Sequence, residues 1–377
     1  MDDLRKRTWA EIDLGNIRHN YEAIRRVMPQ GCRFLGVVKA DAYGHGSVQV
    51  SRLLQDAGAD YLAVSCLDEA MELRQSGIYL PILILGHTPE EFTETLISND
   101  LTQAVTCLAK AEEYSREATR LGKTLRVHMK IDTGMSRLGF LCAGAHFDEG
   151  VEHVVSSCTL PGLHPEGIFT HFSVSDEPGD DNEAYTRAQF ELFCRLIDAV
   201  RERGGVSFEI RHCANSGAVV NYPEMMLDMV RPGLLLYGYG DTKGELGLKP
   251  CMSLITRIST IKHYESGTCV SYGRRFVTDR RTRMAVLGIG YADGLPRLAS
   301  NKCSFAVGSG FAPQRGSICM DMCMADVTDI PDAAVDSEVE IFGARNRIES
   351  ICSAAMTIPY ELLCAVSKRV PRIYRAN

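Results

Sequence analysis

Apolar positions recur along this chain in two alternating rhythms. Helical spacing at Ile17, Tyr21, Ile24 and Met28 precedes Phe34-Leu35-Gly36-Val37-Val38-Lys39, an apolar run too short for a helix. Similar strand-like runs follow at 61–64, 81–85, 103–105, 126–131, 166–171, 208–212 and 227–231. Between them, 68–75 and 182–203 carry patterns long enough for helices. Alternation of this kind predicts parallel strands joined by helical crossovers. Eight such units over 14–240 fit a closed (β/α)8 TIM barrel, whose usual size is about 250 residues. An open doubly wound sheet remains the alternative on pattern alone. From Asp241 the grammar changes: 241–247 reads as a linker, and short alternating segments follow at 253–261, 268–272, 283–289, 304–307, 323–327 and 338–342. Helical spacing returns only at 347–367. The predicted fold is therefore α/β, a (β/α)8 TIM barrel followed by a mostly β C-terminal domain, 241–377.

Composition adds exclusions. The 377 residues suffice for two domains, and 45% apolar with 24% charged residues is a soluble globular profile. No apolar run approaches the roughly 20 residues of a membrane helix, and the start Met1-Asp2-Asp3-Leu4-Arg5-Lys6-Arg7 lacks a signal peptide's apolar stretch. A cytoplasmic location is the expectation, with no membrane contact. Forty-one basic against 48 acidic side chains give a net charge of −7, poor for nucleic acid. The 14 cysteines are scattered singly, without a Cys-x-x-Cys pair, and read as reduced and mostly buried thiols rather than metal ligands.

Reactive residues of a barrel sit at the C-terminal ends of its strands. Lys39 closes such a run and is followed by Ala40-Asp41-Ala42-Tyr43-Gly44-His45-Gly46. Burying an ammonium is costly unless it is paired or deprotonated, and a Schiff base removes that cost by covalent bonding. Spacing alone leaves this reading level with a lysine snorkelling to the rim.

The stretch Val37 to Gly46 resembles the pyridoxal-phosphate attachment segment of alanine racemases. The resemblance continues through Trp9-Ala10-Glu11-Ile12-Asp13, the run Lys130 to Gly139, Thr170-His171-Phe172, Ala214-Asn215-Ser216 and Val230-Arg231-Pro232-Gly233. It extends further to Ser271-Tyr272-Gly273, Gly290 to Gly294, Cys319-Met320-Asp321 and Thr357-Ile358-Pro359-Tyr360-Glu361. It implies an N-terminal strand within 1–13 that packs with the C-terminal domain. It also implies a homodimer with a shared active site, which supplies D-alanine for peptidoglycan of the cell wall.

The same resemblance assigns roles. Lys39 carries pyridoxal 5'-phosphate. Tyr43, Ser216, Tyr360 and the backbone N–H groups of Gly233 and Leu234 hold its phosphate, with Asn215 beside them. Arg231 contacts the pyridine nitrogen, and His171 relays between Arg231 and Tyr272. An arginine only donates, so it leaves that nitrogen unprotonated and the electron sink weak, which disfavours side reactions. Racemisation needs proton transfer on both faces of the α-carbon, so Lys39 and Tyr272 of the partner subunit are the two catalytic groups. A tyrosine of ordinary pKa, near 10, needs a cationic neighbourhood to act as a base, which the His171–Arg231 pair could supply. Arg137 and the Met320 N–H bind the substrate carboxylate, Tyr291, Asp321 and Tyr360 bound the pocket, and Lys130 matches a lysine that can be carbamylated to orient Arg137.

Two positions depart from the family pattern. Ser317 stands where many relatives carry arginine, and Met322 where glutamine is frequent. Both flank Met320, as in related serine racemases. Those tend to have asparagine where Tyr360 stands, so Tyr360 argues for alanine and leaves serine as a secondary substrate. The rivals are an amino-acid decarboxylase of the same architecture, which wants a carboxylate where Arg231 stands, and a barrel-only pyridoxal-phosphate carrier, which lacks the domain bearing Tyr272 and Met320.

Overall fold

A computed structural model describes residues 5–241 and 243–375. Residues 1–4, Thr242 and 376–377, at the edges of the segments 1–13 and 241–377, lie outside the described residues. After β1 (Thr8–Asp13) come β2 (Arg33–Val37), β3 (Tyr61–Val64), β4 (Ile82–Ile84), β5 (Leu101–Val105) and β6 (Leu125–Asp132). The two-residue β7 (Phe140–Leu141), β8 (Leu163–Phe169), β9 (Ile210–His212) and β10 (Met229–Val230) follow. Their sheet runs β10-β2-β3-β4-β5-β6-β8-β9, with every pairing parallel. The backbone N–H groups of Asp228 and Arg231 donate to the Arg211 and Ala214 carbonyls, which joins the two ends and closes an eight-stranded barrel. The open-sheet alternative is thereby excluded.

Period-2 alternation decides what the barrel encloses. Along β6 the outward residues Val127, Met129 and Ile131 are fully buried and apolar, while His128, Lys130 and Asp132 share the opposite face. Barrel interiors are usually filled by branched apolar side chains. This one is polar through its centre, and Gly167 in β8 makes room for it. A Cβ there would lie 2.6 Å from the His128 ring.

The remaining strands are β11 (Met252–Tyr264), β12 (Cys269–Val270), β13 (Phe276–Val277), β14 (Thr282–Leu287), β15 (Ser304–Val307), β16 (Gly310–Arg315), β17 (Cys323–Asp326), β18 (Glu338–Phe342) and β19 (Arg372–Arg375). The large sheet runs β14-β17-β16-β15-β18-β11-β1-β19, and β11 also pairs with β14. The 13 residues of β11 therefore serve three neighbours. The sequence pattern missed β16, because Gly310 and Pro313 interrupt it; Pro313 still takes a register position opposite Ser304. Contacts divide the chain into two compact units, one of 18–42 and 47–249 and one of residues up to Ile17, 43–46 and the chain from Pro250 on. Tyr43–Gly46 thus packs with the C-terminal strands although barrel elements flank it. Among the described residues no helix is long and apolar enough to cross a membrane.

Gly167→Ala is expected to destabilise the fold by about 1–3 kcal/mol through overpacking against His128, read as a lower urea midpoint. An unchanged midpoint would mean that the ring does not pack there.

Candidate active site

Lys39 lies two residues beyond β2 and is half-buried. Ala40, Asp41, Ala42 and Tyr43 after it all have φ between 52° and 54°, one full turn of left-handed backbone without a glycine. Each such residue costs roughly 1–2 kcal/mol, so the turn persists only because its surroundings hold it. The Ala40 N–H donates to Glu69 Oε1 at 2.7 Å, the Ser47 N–H to Asp41 Oδ1 at 2.7 Å and the Ala42 N–H to the Val38 carbonyl at 2.8 Å. Strain concentrated beside one lysine is a feature of functional sites.

Arg231 follows β10 and is 5% exposed. Its Nη1 donates to His212 Nδ1 at 2.9 Å, and its Nη2 to the Thr170 and Cys213 carbonyls at 2.7 and 3.2 Å and to His171 Nδ1 at 3.4 Å. Among the described residues no carboxylate lies within ion-pair distance of it. Burial lowers its pKa to about 10, so it remains charged at neutral pH. Burial and then the Arg231 charge push His171 well below the ordinary histidine range. His171 is therefore neutral, and because Nδ1 accepts from arginine its proton sits on Nε2.

Lys130 is 7% exposed, donates to the Ile131 carbonyl at 2.8 Å and stands 5.3 Å over the Phe169 ring. Burial, followed by repulsion from Arg231, brings its pKa down to about 7. Asp132 two residues on shapes the loop that carries Arg137, accepting from the Gly134 and Ser136 N–H groups at 2.9 and 3.0 Å. Arg137 itself is exposed.

Ser216 opens the helix Ser216–Asn221, whose N-cap Asn215 accepts from the Ala218 N–H at 3.0 Å. The Ser216 Oγ gathers the Gly233 N–H at 3.0 Å and the Leu235 N–H at 3.4 Å, so Ser216, Gly233 and Leu234 are together.

In the other unit the Tyr43 and Tyr360 rings lie 5.9 Å apart, and burial pushes the Tyr43 hydroxyl up, keeping it a neutral donor. Tyr272 occupies the tip of the β12–β13 hairpin and is 73% exposed. Ser317, fully buried, donates its hydroxyl proton to the Tyr272 carbonyl at 3.0 Å, and Ser271 donates to the Ser317 carbonyl at 2.7 Å. The departure at Ser317 is thus a brace between the Tyr272 hairpin and the Met320 loop. Met320 is 53% exposed, and the Tyr291 and Ala292 N–H groups donate at 3.0 Å to the Cys319 and Met320 carbonyls. A Cβ on Gly290 would lie 2.3 Å from both oxygens, so only glycine permits that approach. Asp321 pairs with Arg369 at 2.8 Å. Arg369 and Arg7 both also bind the fully buried Asp293, which sequence reasoning passed over.

The barrel unit therefore offers a buried cation with no carboxylate against it among the described residues, an amine held by a strained turn and a hydroxyl amid backbone donors. The other unit by itself offers an exposed tyrosine on a braced hairpin. Residues 12–241 match the model of the alanine racemase N-terminal domain and 251–374 that of the C-terminal domain. The chain is similar to an alanine racemase of Clostridium perfringens, 42% identical over all of this chain and 97% of that protein. It is likewise 42% identical to alanine racemase 1 of Clostridium acetobutylicum, over 98% of this chain and 95% of the relative. Among solved structures, an alanine racemase of Clostridium difficile superposes with a TM-score of 0.92 at 39% identity, covering 98% of this chain and 96% of that one. One from Bacillus anthracis with bound L-Ala-P gives 0.88 at 31%, covering 98% and 95%.

Lys130 protonates less readily in the folded chain than in the unfolded one. Between about pH 7 and its ordinary 10.5 the unfolded state therefore binds more protons, and stability rises with pH across that window. Lys130→Met is expected to flatten this rise in denaturation measurements from pH 7 to 10; an unaltered slope would mean an ordinary lysine.

Proposed function

Since this chain belongs to the alanine racemase family and interconverts L- and D-alanine, we propose that it does so with pyridoxal 5'-phosphate on Lys39 and two proton carriers on opposite faces. The donor set suits that group. Lys39 offers an amine for its aldehyde carbon, and Arg231 is a buried cation whose natural partner is a neutral acceptor such as a ring nitrogen. Ser216 with the Gly233 and Leu234 N–H groups, joined by Tyr43, Asn215 and Tyr360, would take the phosphate. When bound, pyridoxal phosphate supplies an electron sink that acidifies the α-hydrogen of the attached amino acid.

The protein's own groups then do the rest. Lys39 takes or returns the α-proton on one face. Tyr272 of a second copy serves the other, in a homodimer whose active sites are shared. Its 73% exposure in the single chain, with Met320 beside it on a braced loop, supports that reading. Arg231 would supply the positive charge on that face, while neutral His171 would present its Nε2–H as a donor to the tyrosine oxygen. Burial keeps His171 neutral, so the positive charge of the His171–Arg231 pair rests on the arginine. The Met320 N–H and Arg137 would hold the substrate carboxylate, with Tyr291 and Asp321 at the pocket edge. Near pH 7 a large share of Lys130 is free amine, the form that reacts with carbon dioxide, so a carbamate there facing Arg137 is chemically accessible.

The observation that carries this function is Arg231 without a carboxylate. A decarboxylase benefits from a protonated ring nitrogen, whereas an arginine keeps the sink weak and the carbanion short-lived. Tyr360 favours alanine over serine. The product serves peptidoglycan synthesis in the cytoplasm.

Lys39→Ala is expected to abolish the visible absorption of the bound cofactor; retained absorption would put the attachment elsewhere. Tyr272→Phe is expected to suppress solvent-deuterium uptake from one enantiomer of alanine far more than from the other. Equal loss from both would make Tyr272 structural.

A further inference from the structure

Three polar groups inside the barrel that this function does not use are joined to one that it does. Beyond Arg231, His212 Nε2 lies 2.9 Å from His128 Nδ1, and His128 Nε2 lies 2.9 Å from Glu166 Oε2. The Tyr61 hydroxyl donates to the same carboxylate oxygen at 2.8 Å, and Arg126 lies 3.8 Å from the other.

Chemistry fixes the direction of every bond. A guanidinium only donates, so His212 Nδ1 accepts. Burial, then the neighbouring Arg231 charge, holds His212 well below its ordinary range, so it is neutral and carries its proton on Nε2. That proton is donated to His128 Nδ1. Burial outweighs the pull of Glu166 on His128, which is also neutral and donates Nε2–H to the carboxylate. Burial pulls Glu166 upward, but the hydrogen bonds from His128 and Tyr61 outweigh it and keep the group ionised. A cation at one end and an anion at the other are thus linked through two imidazoles, each restricted to one tautomer.

The backbone is shaped for this chain of bonds. Val127 pairs with Pro165 and His128 with Gly167, so Glu166 is the extra residue of a bulge in β8. Bulges re-aim side chains, and this one carries the Glu166 carboxylate. Gly167, next to it, is the glycine whose missing side chain admits His128. Phe169 stacks on His212 at 4.8 Å and 11°, fixing the second ring.

Buried ionic chains add little net stability compared with apolar filling, so packing does not account for this one. A carboxylate placed directly on Arg231 would neutralise its charge and occupy its donors. Two neutral imidazoles between them keep the arginine charged and oriented while a counter-charge stands at a distance. We propose that Glu166 is a positioning residue for Arg231, acting through His128 and His212 to fix the guanidinium as a donor toward the ring nitrogen. This rests on the reading of Arg231 as that nitrogen's partner.

The test compares Glu166→Gln, His128→Phe and Arg231→Gln as cofactor-loaded enzymes, by visible absorption and by kcat and KM for alanine. Glu166→Gln keeps a carbonyl acceptor for His128 and removes only the charge. It is expected to shift the cofactor band in the same direction as Arg231→Gln. It should also lower kcat by about tenfold, as loss of an outer partner does at other sites, with KM within about twofold. His128→Phe should do the same or more. If Arg231→Gln moves band and kcat while Glu166→Gln moves neither, the relay is overturned and the Arg231 reading stands. If Arg231→Gln leaves the band unchanged, the Arg231 reading fails and takes the relay with it. Nitrogen-15 spectra of the unaltered protein keep the inference testable should a variant not fold: His128 and His212 should both carry their proton on Nε2, and a proton on Nδ1 of either contradicts it.

Discussion

A guanidinium sealed inside a barrel, with no carboxylate against it among the described residues, is the constraint from which most of the barrel's polar interior follows. Moving a charge from water into such surroundings costs several kcal/mol after relaxation, so Arg231 needs donors satisfied on every side. It donates to the Thr170 and Cys213 carbonyls and to the Nδ1 atoms of His171 and His212. Burial first, and then the same charge, disfavour a second cation nearby. Both imidazoles are neutral, and Lys130 is brought down to about 7. An interior of alternating polar residues along β6, in place of the usual aliphatic layers, is the fold-level consequence.

Within each unit the candidate site residues are held by stiff local structure. Lys39 leads into four left-handed residues whose N–H groups and side chains are tied to Glu69, Ser47 and Val38. The loop at Met320 is pressed against Gly290 so closely that no side chain fits there, and the Tyr272 hairpin is pinned through Ser317. Each device spends conformational freedom during folding, so that the groups proposed to act in turnover are ordered beforehand.

Much of this was legible in the sequence because period-2 and helical spacing survive locally. Arg126 to Asp132 spells the alternation outright, and Lys39 ends an apolar run. Closure of the barrel, by contrast, rests on the long-range hydrogen bonds that join Asp228 and Arg231 to the Arg211 and Ala214 carbonyls. Long-range contacts set what could not be read. The left-handed turn after Lys39 contains no glycine until Gly44 to announce it. β16 hides behind Pro313, the Glu166 bulge is visible only once β6 and β8 are in register, and Ser317 looked like a missing arginine rather than a brace. Tautomers of His128, His171 and His212 follow from their partners alone, so no spacing rule could have supplied them.

In the proposed mechanism each active site draws its two proton carriers, Lys39 and Tyr272, from different chains. Mixing Lys39→Ala with Tyr272→Phe after subunit exchange tests it. In a mixed dimer one site carries both lesions and the other carries neither, so two nearly inactive preparations are expected to regain racemase activity on combination. No recovery, with mixed dimers shown to have formed, would mean that Lys39 and Tyr272 act from the same chain or not together.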